Sequence, residues 1–154
     1  MSLAFALALQ AAATGRQALG VYDRWGAFRD AAPARCYAIA EPLRRSPARP
    51  FASIATWPTE GARNQLHIRL SRPRAPSARV TLSIGERRFE LLAGDADAWS
   101  PDSRTDAAIV TAIRSGRSMS VETVSARGAP FADTYALRGA ATAIDAAAVG
   151  CARR

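Results

Sequence analysis

Two cysteines, Cys36 in RCYAIAEP and Cys151 closing GAATAIDAAAVGC, are the only thiols of the chain and stand 115 positions apart. Two cysteines permit one intramolecular pairing. Joined, they tie the final segment back to an early strand, and the chain-entropy model gives about 4 to 5 kcal/mol for closing so long a loop. Left reduced, they are small buried hydrophobes. The compartment decides, because an oxidising one favours pairing and the cytosol keeps thiols apart.

The first residues speak to that compartment. Residues 2–9, SLAFALAL, form an apolar run, followed by Gln10 and the small residues AAATG. A run this short falls well below the roughly 20 apolar residues of a membrane span, so no transmembrane span is expected. It fits a signal peptide over residues 1–13, cleaved near Ala13, ahead of one β-rich globular domain over 19–154. An ordinary Ala/Leu helix of the fold is the alternative, and the lack of Arg or Lys before the run favours it. No cysteine follows the run, so a lipoprotein anchor is not expected. Export implies a periplasmic or secreted protein with Cys36 and Cys151 bridged.

The chain of 154 residues is long enough for one core without metal or many disulfides. Its net charge of +8 comes from arginine alone, since it contains no lysine. Such a balance fits an anionic partner, and it equally fits the coding bias of a GC-rich genome, which the abundant alanine also suggests.

Periodicity gives the elements. In NQLHIRLSRP, Leu66, Ile68 and Leu70 alternate with Gln65, His67, Arg69 and Ser71, a half-buried strand. RVTLSIGERRFELLAG reads as a hairpin turning at Gly85 and Glu86, with Val80, Leu82, Ile84, Phe89 and Leu91 inward. CYAIAEP and the proline-bounded PFASIATWP are two further strands, LRRSPARP is a loop, and GVYDRWGAFRD over 20–30 is expected as an irregular edge segment. SPDSRTDAAIVTAIRSG predicts a helix with Ser100 as N-cap, Pro101 first, Gly116 past its end and Ile109, Val110 and Ile113 buried. SMSVETVSARG and PFADTYALRG form a second hairpin. The closing alanine helix buries Ile144, Ala148 and Cys151. The fold class is α+β: a mainly antiparallel β-sheet, sandwich or roll, with two short helices and one disulfide.

Chemistry is sparse in this pattern. His67 is the only histidine, which leaves no zinc site of the usual kind, and its place on the polar face of a strand makes it a surface residue. Asp95, Asp97, Asp102 and Asp106 cluster, but without the glycine and terminal glutamate of a calcium loop. No metal, cofactor or catalytic residue is expected. Arg63, Arg69, Arg72, Arg74, Arg79, Arg87 and Arg88 fall on or around three consecutive strands. With the apolar positions inward, Arg69 and Arg79 should face solvent and the loop arginines should crowd the strand ends. Arg69, Arg72, Arg74, Arg79, Arg87 and Arg88 are therefore the candidate binding residues for an anionic envelope component. The alternative is a solvated face with edge protection.

Three stretches together, LGVYDRWGAFRD, RCYAIAEP and DTYALRGAATAIDAAAVGC, resemble the invasion-associated locus B family of exported bacterial proteins. The resemblance implies a periplasmic or envelope-associated domain with no catalytic residues to carry over. Many members have further cysteines near the tryptophan strand and in mid-chain, which this sequence lacks, so it resembles a divergent branch. The expected role is a monomeric, non-enzymatic binding or accessory protein whose partner is an anionic envelope component or another exported protein, not nucleic acid. The competing readings are an envelope-directed hydrolase using Asp and Glu as acid and base, and an inhibitor or chaperone-like partner.

Overall fold

The computed structural model describes residues 15–152, so the expected signal peptide lies outside the described residues. The elements run β1 (Arg16–Tyr22), β2 (Trp25–Ala31), β3 (Ala34–Ala40), β4 (Phe51–Trp57), β5 (Ala62–Arg69), β6 (Val80–Ile84), β7 (Arg87–Ala93) and β8 (Asp97–Trp99). Helix α1 (Ser103–Ser115), strands β9 (Ser118–Val124) and β10 (Pro130–Ala136), and helix α2 (Ala140–Ala152) follow. The strands form one antiparallel sheet in the order β1-β2-β3-β4-β5-β8-β7-β6-β9-β10. The α+β class holds, with the two helices where the sequence puts them.

The sheet is not flat. On β2, Trp25 is fully buried and its Nε1–H donates to the Ala136 carbonyl on β10 at 2.8 Å, joining the second strand to the last. Past the end of β5, Ser71 N–H donates to Asp133 Oδ2 of β10 at 2.9 Å. The sheet thus rolls onto itself around one core that takes in Leu66, Ile68, Leu82, Val121 and Tyr135.

Residues 20–30, expected as an irregular edge, form instead the end of β1 and most of the well-paired β2, which lies inside the sheet. The alternation is real but disguised. Trp25 and Ala27 are buried on one side, while Gly26 stands on the other, where the Phe28 ring fills the space a Cβ would take, 2.7 Å from its Cε2. Small residues on both faces hide the period of two. Strand β8 is not visible in the sequence, since three residues cannot display a period. It exists through its partners, His67 opposite Trp99 and Leu92 opposite Trp99 on its two sides.

The N-cap of α1 is Asp102, not Ser100. Asp102 has extended backbone and its carboxylate accepts from Thr105 N–H at 2.7 Å, whereas the Ser100 hydroxyl donates to the Asp102 carbonyl. Ile109, Val110 and Ile113 are buried as expected. One turn into this helix, Asp106 is buried and its Oδ1 accepts from Leu66 N–H of β5 at 2.9 Å.

Burial pushes the Asp106 carboxyl above the usual carboxylate range, more than the Leu66 N–H draws it down. Such a group stabilises the fold fully below its unfolded pKa of about 4 and loses that contribution as pH rises through the folded value. Asp30, Asp102 and Asp145 run the other way. Hydrogen bonds from Arg16, Thr105 and Arg114 hold them below the usual range, so their contribution is present above the unfolded value and fades as pH falls through the folded one. Asp106→Asn isolates the first effect. Its urea midpoint relative to the parent is expected to climb as pH rises above the unfolded value of about 4; a difference that stays constant with pH would remove the assignment.

Helix α2 packs on β2 and β3 with Ala140, Ala143, Ile144 and Ala147 buried. Ala148, expected in the stripe, is exposed, because the helical advance puts Ala147 rather than Ala148 between Ile144 and Cys151 on the packed face. The disulfide forms as expected: Cys36 of β3 is bonded to Cys151 in the last turn, with Cα atoms 5.8 Å apart. At the other end of α2, Gly139 has φ of +87° and lies so near Tyr22 that a Cβ would meet its carbonyl oxygen. Only glycine fits there.

Candidate anion-binding surface

The six arginines read as one face do not gather. On the solvent side of the sheet, Arg69 Nη1 lies 3.8 Å from Asp97 and Arg79 Nε 3.8 Å from Glu90, so each basic charge has an acidic neighbour. Arg88 shares that side, opposite Ser83. Arg87 has the alternate parity, that of Phe89 and Leu91, and its guanidinium sits 5.0 Å from the Phe89 ring centroid. Arg74 is part of the framework: it donates to the carbonyls of Gly94, Ala75, Ala78 and Ala93 at 2.6 to 3.2 Å and closes the loops at the ends of β6 and β7. Arg72 has left the sheet altogether. It lies over the Phe131 ring of β10, 5.8 Å from its centroid, in the wall of a cleft.

That cleft, of about 690 Å³, lies between the 41–50 loop and β10, and carries Arg44, Arg45 and Arg72. A second of about 510 Å³ opens on the other side of the same loop with Arg24, Arg45 and Arg49. The loop is EPLRRSPARP; the sequence marks LRRSPARP as a loop by its prolines and charge, but not as a site, and Glu41 and Pro42, expected in the strand, belong to the loop because β3 ends at Ala40. Its shape is fixed. Pro42 and Pro50 are buried, Leu43 N–H donates to the Thr134 carbonyl at 2.8 Å, and Arg49 N–H donates to the Ser46 carbonyl at 3.1 Å. Arg49 has φ of +53°, a left-handed conformation that costs a branched or long side chain on the order of 1 kcal/mol and clusters at functional positions.

Arg24, Arg44, Arg45, Arg49 and Arg72 are all exposed, and none forms an ion pair among the described residues. Two carboxylates share the walls, Glu41 and Asp133. Asp133 is buried, and both its oxygens are taken by the backbone N–H and hydroxyl of Ser71. The pair of adjacent arginines at 44 and 45 between prolines was the signal that could have marked the site.

His67 is more than a surface residue. Its ring stacks on Trp99 at 5.3 Å, meets Phe51 edge-on at 5.1 Å, and bonds Asp97 at 2.8 Å. The aspartates of the acidic cluster go separate ways: Asp97 to His67, Asp102 to a helix cap, Asp106 to Leu66. Among the described residues no three His, Cys, Asp or Glu side chains converge as a metal ion requires, and no helix is long and apolar enough to cross a membrane.

The backbone is similar to the crystal structure of invasion associated protein B from Bartonella henselae. The likeness covers 89% of this chain and 99% of that one, with a TM-score of 0.64 and 13% sequence identity. At that identity the shared property is the fold. No protein-family model matches the chain, and no curated protein matches it.

Proposed function

We propose that the chain is an exported accessory domain of non-enzymatic type, a divergent relative of the invasion-associated locus B proteins, that binds an anionic envelope partner. The fold likeness and the Cys36–Cys151 bridge support the first part, since such a bridge persists in an oxidising compartment. One observation carries the second. Five exposed arginines without acidic partners surround two adjoining clefts, whereas Arg69 and Arg79 on the sheet each face a carboxylate. Binding therefore centres on the 41–50 loop and Arg72, with Arg69, Arg79 and Arg88 as a weaker flank.

Export is tested on the natively produced protein, by N-terminal sequencing and thiol titration of the periplasmic fraction. A mature chain starting near residue 14 without free thiols is expected; a cytosolic chain starting at Met1 with two thiols overturns it. Binding is tested with anionic lipid vesicles and lipopolysaccharide at rising ionic strength, which screens exposed charges. An arginine near an anionic surface contributes about 1 kcal/mol, so Arg44, Arg45 and Arg72 replaced together by Ser should lose roughly 100-fold in affinity. The Arg69, Arg79 and Arg88 to Ala variant should lose far less. Equal binding by parent and cleft variant sinks the proposed surface.

A further inference from the structure

The two clefts adjoin along one loop. Pro42, Leu43 and Arg45 line both, so the loop is a ridge with a basic hollow on either side and Arg45 on the divide. Each hollow holds three guanidiniums against a single carboxylate, and the pair together holds five against two. A carboxylate or phosphodiester carries one negative charge and leaves most of that excess unmatched. A phosphomonoester carries about −1.5 to −2 and presents three acceptor oxygens to planar guanidinium forks. The ridge itself is apolar at its crest: Leu43 is 49% exposed between Arg44 and Pro42. Phe131 lines one hollow and Phe51 the other. A fully hydrated polyanion would gain nothing from these side chains.

Resting on the reading of this surface as anion-binding, we propose that it takes a bis-phosphorylated amphiphile, one phosphomonoester in each hollow and an apolar segment across Leu43. Arg44 and Arg72 hold the first phosphate, Arg24 and Arg49 the second, and Arg45 reaches either. Arg72 lies over the Phe131 ring, 5.8 Å from its centroid, and both side chains line that hollow. The left-handed backbone at Arg49 fits the same purpose: asparagine or glycine would hold the turn with less strain, but neither brings a cation.

The experiment is calorimetric titration of the oxidised protein with alkanediol bisphosphates of graded length and with alkyl monophosphates of equal carbon number. A bisphosphate of fitting length is expected to bind at least about tenfold tighter than its monophosphate. Arg72→Ala and Arg49→Ala should each reduce it to the monophosphate level. Leu43→Ser should weaken the alkanediol series while leaving inorganic pyrophosphate unchanged. Arg49→Asn separates site from scaffold, since it should raise Tm while lowering bisphosphate affinity. Competition by vesicles carrying a bis-phosphorylated lipid would identify the source as a lipid headgroup, and its failure would identify a free bisphosphate ester; both support the site. If no bisphosphate outbinds its monophosphate, the two-phosphate proposal falls. The broader reading survives that result where the cleft variant still loses vesicle binding, and falls with it where it does not.

Discussion

Replacing Cys36 and Cys151 together by alanine is expected to lower unfolding stability by about 4 kcal/mol, the scale the chain-entropy model sets for a loop of this length. The loss should be large for this chain because most of the side chains that α2 buries are alanines. Its buried residues are Ala140, Ala143, Ile144 and Ala147. They pack on β2 and β3, whose Ala27, Ala38 and Cys36 are buried in the same core, and alanine contributes little apolar area to burial. Small side chains let the helix lie close to β2 and β3, but close packing of methyl groups is a weak glue. Domains of this size unfold at about 5 to 15 kcal/mol, so the bridge accounts for a large share. Urea unfolding of the oxidised and the alanine proteins measures it, and hydrogen exchange should show α2 losing protection first. A shift below about 1 kcal/mol would mean that the helix docks without its staple.

Trp25→Ala should cost as much, about 3 to 5 kcal/mol by the usual cost of emptying a buried aromatic site. The side chain has no exposed surface, and its indole N–H is the direct tie from β2 to the Ala136 carbonyl of β10. Removing it opens a cavity where the sheet meets itself and leaves that carbonyl without this donor. Trp25→Phe separates the two losses, keeping most of the volume but not the hydrogen bond, and should cost roughly half as much. If Trp25→Ala unfolds with the parent's midpoint, the roll is closed by something other than this contact.

Strands whose two faces differ in kind were legible from the sequence. Leu66 and Ile68 against His67 and Arg69, or Val80, Leu82 and Ile84 against Thr81 and Ser83, announce their orientation because one side must be dry. Strand β2 was not legible, since Gly26 and Ala27 make its faces nearly alike in polarity. The α1 cap shifted by two residues because Ser100 and Asp102 are both competent caps, and only backbone geometry distinguishes them.

The arginine surface taught the same lesson from the other direction. Counting charges along β5 to β7 placed Arg74 with Arg69, yet four carbonyls of the surrounding loops satisfy Arg74. Whether a guanidinium is free depends on what lies within about 3 Å of it, which sequence spacing does not encode. Arg72 and Arg45 approach one cleft across 27 positions of chain only because the end of β5 and the 41–50 loop both abut β10.

By itself the sequence determined the alternation of most strands, both hairpins of the second half, the two helices, the single feasible disulfide and an arginine-only positive charge. Those are local or countable properties. The rolled sheet, the insertion of β8 between β5 and β7, and the gathering of Arg24, Arg44, Arg45, Arg49 and Arg72 were decided only by tertiary structure. Each depends on contacts between segments distant in the chain, and such contacts are chosen by how the whole core closes rather than by any stretch of residues within it.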